Sequence, residues 1–389
     1  VIQAFSALAA GGAILCSQYI GQKNHEMANK SARQVLFIIT AISVAVTALC
    51  LLFRVPLLKL IFGKVESDVM TASQVYFFYT ALSFPFIALY DAGASIFRSQ
   101  GNTRGPMTVS VISNVINIGG NAALIWGFNM GVAGAALATV ISRYIEAVIV
   151  IMWAHTNREK NKYLEGAYVG IGMPVQEFKA IFIKGMPLML NEVLWAAGMT
   201  TVTQCYSIRG LDVIAGLNIA TTITNLFNIV FIQLGACISI VVGQYLGAGD
   251  LEAAKDADNK MIVFSVFCCT IMAAIMLLVG GLFPNIYNTT DEIKSLATDF
   301  IAVSAIIMPF CAFSHASYFT LRSGGKTLVT FLFDSVFTWV IVVPVAFVLA
   351  NYSAIGIVGV YFLVQATELI KVVIGYFMVR SNVWLVQMV

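Results

Sequence analysis

The sequence predicts an all-α membrane protein made of two six-helix bundles related by an internal duplication. Three observations support this prediction: the composition, a succession of long apolar runs, and short motifs that recur at a nearly constant spacing. The chain is 59% hydrophobic and only 11% charged, with a mean hydropathy of +0.88. Because so few polar residues cannot cover the surface of a soluble domain, we expect the chain to lie in a lipid bilayer.

Apolar runs of about 20 residues are long enough to cross the hydrocarbon core as helices. About eleven such spans are predicted, at 1–21, 34–62, 70–97, 106–128, 131–155, 180–207, 213–246, 260–285, 293–321, 327–350 and 355–379. A β-barrel would instead alternate apolar and polar residues over short strands, and the sequence lacks that alternation.

The duplication is visible in motifs that recur in the same order. Gln18-Tyr19-Ile20-Gly21 returns as Gln244-Tyr245-Leu246-Gly247, at an offset of 244 − 18 = 226. Arg98-Ser99-Gln100-Gly101 returns as Arg322-Ser323-Gly324-Gly325, at an offset of 322 − 98 = 224. Because an even number of spans separates the copies, we expect both bundles to share one orientation, related by an axis along the membrane normal.

The predicted domains are an amino-terminal helical lobe (1–156), a cytoplasmic connector (157–179) and a carboxyl-terminal helical lobe (180–389). Val1 aligns with Phe227 under the duplication, so we expect a fragment whose amino-terminal lobe lacks its first helix. Fifteen of the 22 Lys and Arg residues fall in connections on one side. This asymmetry predicts that this side is cytoplasmic, together with both termini of the full-length protein.

The composition also argues against several classes of function. A net charge of +3 is too small to indicate a nucleic-acid partner. There is no phosphate loop, no His-x-x-x-His spacing and no nucleophile elbow, so we expect neither an enzyme nor a bound cofactor. The seven cysteines lie in apolar runs without paired spacing and are predicted to be core residues. Partners are expected to be small molecules and the bilayer, with the chain acting as a monomer.

Ionisable residues inside the spans are costly, about 2.5–3.5 kcal/mol each on insertion scales, and therefore need a reason. The acids are Asp91, Glu146, Glu192, Asp334 and Glu368, and the bases are Arg143 and Lys371. The three-residue spacing of Arg143 and Glu146 predicts an ion pair on one helix face, and so does that of Glu368 and Lys371. These pairs are either structural or involved in gating. Asp334 is expected to be structural or to cap a helix.

Asp91 and Glu192 differ from the other acids because neither has a base within helical reach. An unpaired carboxylate in a membrane takes up a proton or binds a cation, as a coupled transporter requires. Pro187 precedes Glu192 and can free a backbone carbonyl toward a cavity. The residues predicted to line a substrate cavity are Asp91, Asn114, Asn191, Glu192 and Trp195. For Asp91, a structural role is an equal alternative.

A row of polar residues marks one face of another span. The row consists of Ser110, Ser113, Asn114, Asn117 and Asn121, with Gly119 and Gly120 beside it. Their spacing of three and four residues predicts a polar stripe, and the glycines would let a neighbouring helix approach. The stripe could bind an ion or simply make interhelical hydrogen bonds.

With these motifs, the chain resembles the multidrug and toxic compound extrusion (MATE) transporters of Gram-positive bacteria. The resemblance extends over essentially the whole chain. It rests on the duplicated Gln-Tyr-x-Gly, the duplicated Arg-Ser-x-Gly-x-Thr, the segment Gly131 to Thr139, and Asn191-Glu192-x-x-Trp195. It implies twelve helices in two lobes that form a V, with the first helix absent from this chain. It also implies a central cavity and alternating access driven by sodium or protons.

In one branch of that family, an Asn, an Asp and a Thr of the amino-terminal lobe form a cation site. The corresponding residues are Asn117, Asn121 and Thr139, so this chain has an amide in place of the acid. Neutral oxygens can still bind Na⁺; no other metal is expected. Another branch has acids where this chain has Trp195 and Cys311. Glu192, one turn before Trp195, could take the place of the missing acid at that position.

The resulting hypothesis is a Na⁺- or H⁺-coupled antiporter of the bacterial plasma membrane that exports amphipathic, cationic compounds. The nearest alternative is a flippase or exporter of lipid-linked precursors from the same superfamily, which should have a basic cavity. A channel is a weaker alternative because diverged halves supply no ring of like residues. A membrane-embedded enzyme is weaker still.

Overall fold

The computed structural model describes the backbone of residues 2–62, 66–156 and 175–387, with the side chains of 2–59, 66–156 and 185–387. These residues form helices joined by short connections, and no β-strand occurs among them. The helices are α1 (Ile2–Gly21), α2 (His25–Leu52), α3 (Arg54–Phe62), α4 (Ser67–Ser99), α5 (Arg104–Gly127), α6 (Gly131–Thr156), α7 (Val175–Ser207), α8 (Leu211–Ala248), α9 (Leu251–Gly280), α10 (Asp291–Ser323), α11 (Thr327–Tyr352) and α12 (Ile357–Arg380).

Within the described residues, ten of these helices are long and apolar enough to cross a membrane. Helix α7 occupies the position of a further predicted span, so the all-α membrane fold is confirmed. One predicted span, 34–62, was placed too far along the chain, because the spanning helix is α2, His25–Leu52, and a separate helix, α3, begins at Arg54. Pro56 explains the break: it has no N–H to donate to the carbonyl of Leu52, and its ring crowds that carbonyl.

Among the residues described above, two helices contain π-helical turns. Helix α5 ends in one, Ala123–Gly127, and α11 contains two, Leu332–Val336 and Thr338–Val342. A π-turn locally changes which side chains face a neighbouring helix, and such turns are frequent at functional sites. The first π-turn of α11 carries Asp334.

The chain divides into two compact units, Val1–Met189 and Leu190–Val389. In the first unit, α4 packs against α1, α2 and α6. The core of this unit includes the buried residues Phe5, Leu8, Ile38, Ile39, Phe84 and Phe97. Gly12 brings α1 close to α2, since a Cβ at this position would lie 2.1 Å from Cγ2 of Val35.

In the second unit, α10 packs against α8, α9 and α12. The core of this unit includes the buried residues Phe231, Cys269, Phe300, Ile301, Met308 and Tyr361. Gly235 brings α8 close to α10, since a Cβ there would lie 2.3 Å from Cδ2 of Phe319. Helices α4 and α10 thus hold the same central place in their units, in agreement with the duplicated motifs that end both helices.

The predicted connector, 157–179, lies largely outside the described residues, which omit 157–174. The domain boundaries therefore stay a prediction. All seven cysteines are free thiols, as their spacing indicated.

Candidate functional site

The polar stripe of α5 faces α6. Asn117 donates from Nδ2 to Oγ1 of Thr139 at 3.4 Å and to Oγ of Ser142 at 3.3 Å. Asn121 donates from Nδ2 to Oδ1 of Asn117 at 3.0 Å. The three residues predicted to form a cation site are therefore joined by hydrogen bonds. Together with Ser142 they are called the α5–α6 polar cluster below.

Small residues allow the two helices to approach at this cluster. A Cβ at Gly120 would lie 3.3 Å from Cβ of Ala138, whereas a Cβ at Gly119 would meet no atom within 4 Å. The predicted close approach therefore occurs at Gly120 and not at Gly119. Ser113 adds a contact by donating from Oγ to the backbone oxygen of Ser142 at 3.1 Å.

The α5–α6 polar cluster has a spare oxygen ligand. Oδ1 of Asn121 is buried and, among the described residues, has no hydrogen-bond partner. Buried polar atoms normally have such a partner, so this atom is suited to a ligand. The donor set of the cluster is amide and hydroxyl oxygens without a carboxylate. Hard metal cations prefer oxygen ligands, and a set of neutral oxygens suits Na⁺ better than a proton.

Two other predicted residues of the first unit, Asp91 and Asn114, differ in their surroundings. Oδ2 of Asp91 accepts a hydrogen bond from Oγ of Ser6 at 3.0 Å, which links α4 to α1. In the described part of the chain, no basic side chain lies at ion-pair distance from Asp91. Asn114 is exposed on the same helix as the polar cluster.

The first predicted ion pair is confirmed. Nη1 of Arg143 lies 2.7 Å from Oε2 of Glu146, with Glu146 fully buried and the Arg143 side chain 35% exposed. The other carboxylate oxygen of Glu146 is buried and has no hydrogen-bond partner among the described residues.

The second predicted ion pair, Glu368 with Lys371, is wrong. Nζ of Lys371 lies 2.6 Å from Oδ1 of Asp334, and the two side chains are only 8% and 17% exposed. The rings of Phe333 and Phe337 surround the ammonium group, with centroids at 5.6 and 5.8 Å. Asp334 approaches from the π-turn of α11, so Lys371 bonds across helices instead of along its own. Oε1 of Glu368 is buried without a hydrogen-bond partner among the described residues.

Asn191, predicted to line a cavity, instead connects α7 to α11. The residue is 1% exposed. Its Nδ2 donates to Oδ2 of Asp334 at 2.9 Å, and its Oδ1 accepts from Oγ of Ser335 at 2.7 Å. Its neighbours Glu192 and Trp195 are partly exposed, and Glu192 has no basic side chain at ion-pair distance within the described residues.

One buried acid was missed by the sequence analysis. Asp258 is fully buried in α9 and accepts a hydrogen bond from Oγ1 of Thr320. The predicted span began at residue 260, which assigned Asp258 to a connection, whereas α9 begins at Leu251. The four-residue spacing of Ala254, Asp258 and Ile262 was the available signal, because it places the acid on an apolar helix face.

The sequence matches the MatE family profile over residues 1–123 and 187–348. The chain belongs to the MatE family. This membership confirms the resemblance drawn from the motifs. The protein is therefore a multi-pass membrane transporter and not an enzyme.

Curated relatives of this MatE chain are distant in sequence but nearly collinear with it. An uncharacterized transporter, YisQ of Bacillus subtilis, is 23% identical over 390 residues, covering 99% of this chain and 84% of the relative. The probable multidrug resistance protein NorM of Thermotoga maritima is 24% identical over 362 residues, covering 91% of this chain and 76% of the relative.

Solved structures confirm the fold. A MATE protein in complex with MaL6 has a TM-score of 0.90 at 18% identity. The match covers 98% of this chain and 85% of the MATE protein. A MOP superfamily transporter from Pyrococcus furiosus has the same TM-score and identity, and the match covers 98% of this chain and 84% of that transporter. At such low identity these likenesses concern the fold alone.

Proposed function

We propose that the protein is a Na⁺- or H⁺-coupled antiporter that exports amphipathic, cationic compounds across the plasma membrane by alternating access. In this proposal the chain works as a monomer, needs no cofactor, and has both termini of the full-length protein in the cytoplasm. Relatives named as probable multidrug resistance proteins, such as the Thermotoga protein, support the choice of substrate class.

The observation that carries the coupling proposal is the α5–α6 polar cluster. Asn117, Asn121 and Thr139 bring amide and hydroxyl oxygens together inside a transmembrane unit, and one buried amide oxygen has no partner among the described residues. A cation bound there would take the place of the missing hydrogen bond. Because the cluster contributes no carboxylate, Na⁺ is the preferred coupling ion at this site.

The charge of the spans supports a cationic substrate. Asp91 and Glu192 are acids without a basic side chain at ion-pair distance in the described part of the chain. A cation that enters the membrane is attracted to such carboxylates, because water screens them little there. The aromatic residues, 12% of the chain, and the 15 Met residues would add an adaptable apolar surface.

A flippase or exporter of lipid-linked precursors is the second candidate. The Pyrococcus neighbour is described as having a binding pocket of reversed polarity that suggests a different function. An anionic lipid headgroup would need basic residues on its path. Two basic residues lie well inside the predicted spans, and both are paired: Arg143 with Glu146 and Lys371 with Asp334. This pairing favours the antiporter.

The test uses the full-length protein in liposomes loaded with a cationic dye. An imposed Na⁺ gradient and an imposed proton gradient are compared, each with and without Glu192→Gln. We expect one gradient to accelerate dye movement, and Glu192→Gln to slow it at least tenfold because the substrate loses its attracting charge.

The matched control is Glu252→Gln, because the side chain of Glu252 is 90% exposed. This variant should transport like the unmodified protein. If correctly folded protein responds to neither gradient, the antiporter proposal fails and the flippase becomes the leading candidate.

A further inference from the structure

Asp258 is a fully buried acid that the proposed transport mechanism does not use. It lies eight residues into α9, past the first two turns, and is 0% exposed. Thr320 of α10 is also 0% exposed and donates from Oγ1 to Oδ1 of Asp258 at 2.5 Å. The other carboxyl oxygen, Oδ2, is buried and has no hydrogen-bond partner among the described residues.

The surroundings of this carboxyl group are apolar. Ala254 and Ile262, one turn before and after Asp258 on the same face of α9, belong to a buried apolar cluster. The other buried members of this cluster come from α8, α10 and the segment after α12, and are Ile238, Val242, Leu246, Ala316, Leu321 and Trp384. An ionised carboxylate in such a place would lack both water and a second donor, which is strongly unfavourable.

The charged groups of the neighbouring helices do not compensate Asp258. On α9, Lys255 lies 3.8 Å from Glu252, and Lys260 lies 2.6 Å from Asp256, with both pairs at the surface. On α10, the guanidinium group of Arg322 is stacked 5.6 Å from the ring centroid of Phe319.

Helix α8 and the segment at 381–387 also face this cluster. Tyr245 is the titratable residue of the last turns of α8, and it is 40% exposed. The segment 381–387 has no titratable side chain. Among the described residues, no basic group lies at ion-pair distance from Asp258.

The duplicated half shows that the fold does not need this acid. Under the offset of 226, Asp258 aligns with Ala32, and under the offset of 224, Thr320 aligns with Ile96. Ala32 and Ile96 are likewise 0% exposed and belong to the core of the first unit. At these equivalent positions, the first half therefore has two apolar residues, and the second half has an acid and its hydrogen-bond donor.

We propose that Asp258, held by Thr320, is a proton-binding site of the carboxyl-terminal unit. Oδ2 takes up one proton from water, which forms an O–H bond. The carboxylate forms again when α9 and α10 separate at this contact and the proton leaves to water. A metal ion is not the expected ligand, because the hydroxyl of Thr320 is used as a donor and the residues one turn before and after Asp258, Ala254 and Ile262, are apolar. The use of this proton in a transport cycle rests on the proposed coupled antiport, but the site can be tested without transport.

The test is infrared spectroscopy of the purified full-length protein in detergent at neutral pH. The carbonyl stretch of a protonated carboxylic acid is separate from the carboxylate bands. We expect a protonated-acid band that Asp258→Asn removes. Thr320→Val should shift the band to higher frequency, because the group loses its hydrogen bond. The control Asp256→Asn, which changes a 64% exposed acid two residues away, should leave the band unchanged.

Thr320→Val keeps the acid and therefore reports on it even if Asp258→Asn does not fold. A spectrum in which neither variant changes a protonated-acid band would overturn the proposal. So would a band that appears only after Na⁺ is removed, since Asp258 would then be a sodium ligand. If the expected changes occur in a protein that moves no dye under either gradient, the antiporter proposal fails while the proton site stands.

Discussion

Lys371 and Asp334 form a buried ion pair between α12 and α11, with Nζ of Lys371 2.6 Å from Oδ1 of Asp334. The second carboxylate oxygen accepts a hydrogen bond from Asn191 of α7 at 2.9 Å. One acid thus connects three helices of the carboxyl-terminal unit. Because both charges are taken out of water, removing one partner costs far more than the pair contributes as a whole.

Lys371→Met should destabilise the protein by about 3–5 kcal/mol, because Asp334 would remain buried and unpaired. The double variant Lys371→Met with Asp334→Asn should regain most of this loss, since no charge would be left uncompensated. Thermal unfolding in detergent measures both effects. Lys260→Met breaks a surface pair of similar length and should leave the melting temperature unchanged. A double variant no more stable than the single variant would contradict this account.

Gly12→Ala should destabilise the first unit by about 1–3 kcal/mol, because the added Cβ would overlap a well-packed neighbour. That neighbour, Val35, is 1% exposed, and its branched side chain cannot easily rotate away. Gly119→Ala is the control: its Cβ meets no atom within 4 Å, and alanine favours a helix interior by about 0.5–1 kcal/mol. In thermal unfolding, Gly12→Ala should lower the melting temperature and Gly119→Ala should raise it. A Gly12→Ala variant that is as stable as the unmodified protein would contradict the close approach of α1 and α2.

Asn121→Asp should make dye transport more dependent on the proton gradient. The substitution places a titratable group beside Asn117 in the α5–α6 polar cluster, where the present side chain is a neutral amide. Transport under matched Na⁺ and proton gradients measures the change, with Thr108→Asp, at an exposed position of the same helix, as the control. If Asn121→Asp transports dye with the same preference between the two gradients as the unmodified protein, coupling at this cluster is contradicted.

The fold could be predicted because it depends on features distributed along the whole chain. The low charge content and the long apolar runs require helices in a membrane. The motifs at Gln18 and Gln244 and at Arg98 and Arg322 reveal the duplication. The contacts of Asn117, Asn121 and Thr139 followed from helical spacing together with the family resemblance.

The errors arose where the partner of a residue comes from another helix. The spacing of Glu368 and Lys371 permits an ion pair, but it cannot show that the π-turn of α11 brings Asp334 closer. Asp258 was assigned to a connection because Lys255, Asp256 and Lys260 make the segment look solvated. The packing of α9 against α8 and α10 shows that Asp258, between these charged residues, faces inward.

The most direct test of the account is equilibrium binding of radioactive Na⁺ to the full-length protein, compared with Asn121→Ala and Thr139→Val. If the α5–α6 polar cluster holds the coupling ion, each variant should weaken Na⁺ binding at least tenfold, about 1.4 kcal/mol. Asn114→Ala, on the same helix but exposed, should bind Na⁺ like the unmodified protein. Equal Na⁺ affinity in all four proteins, or no Na⁺ binding in any of them, would contradict the assignment of sodium coupling to this cluster.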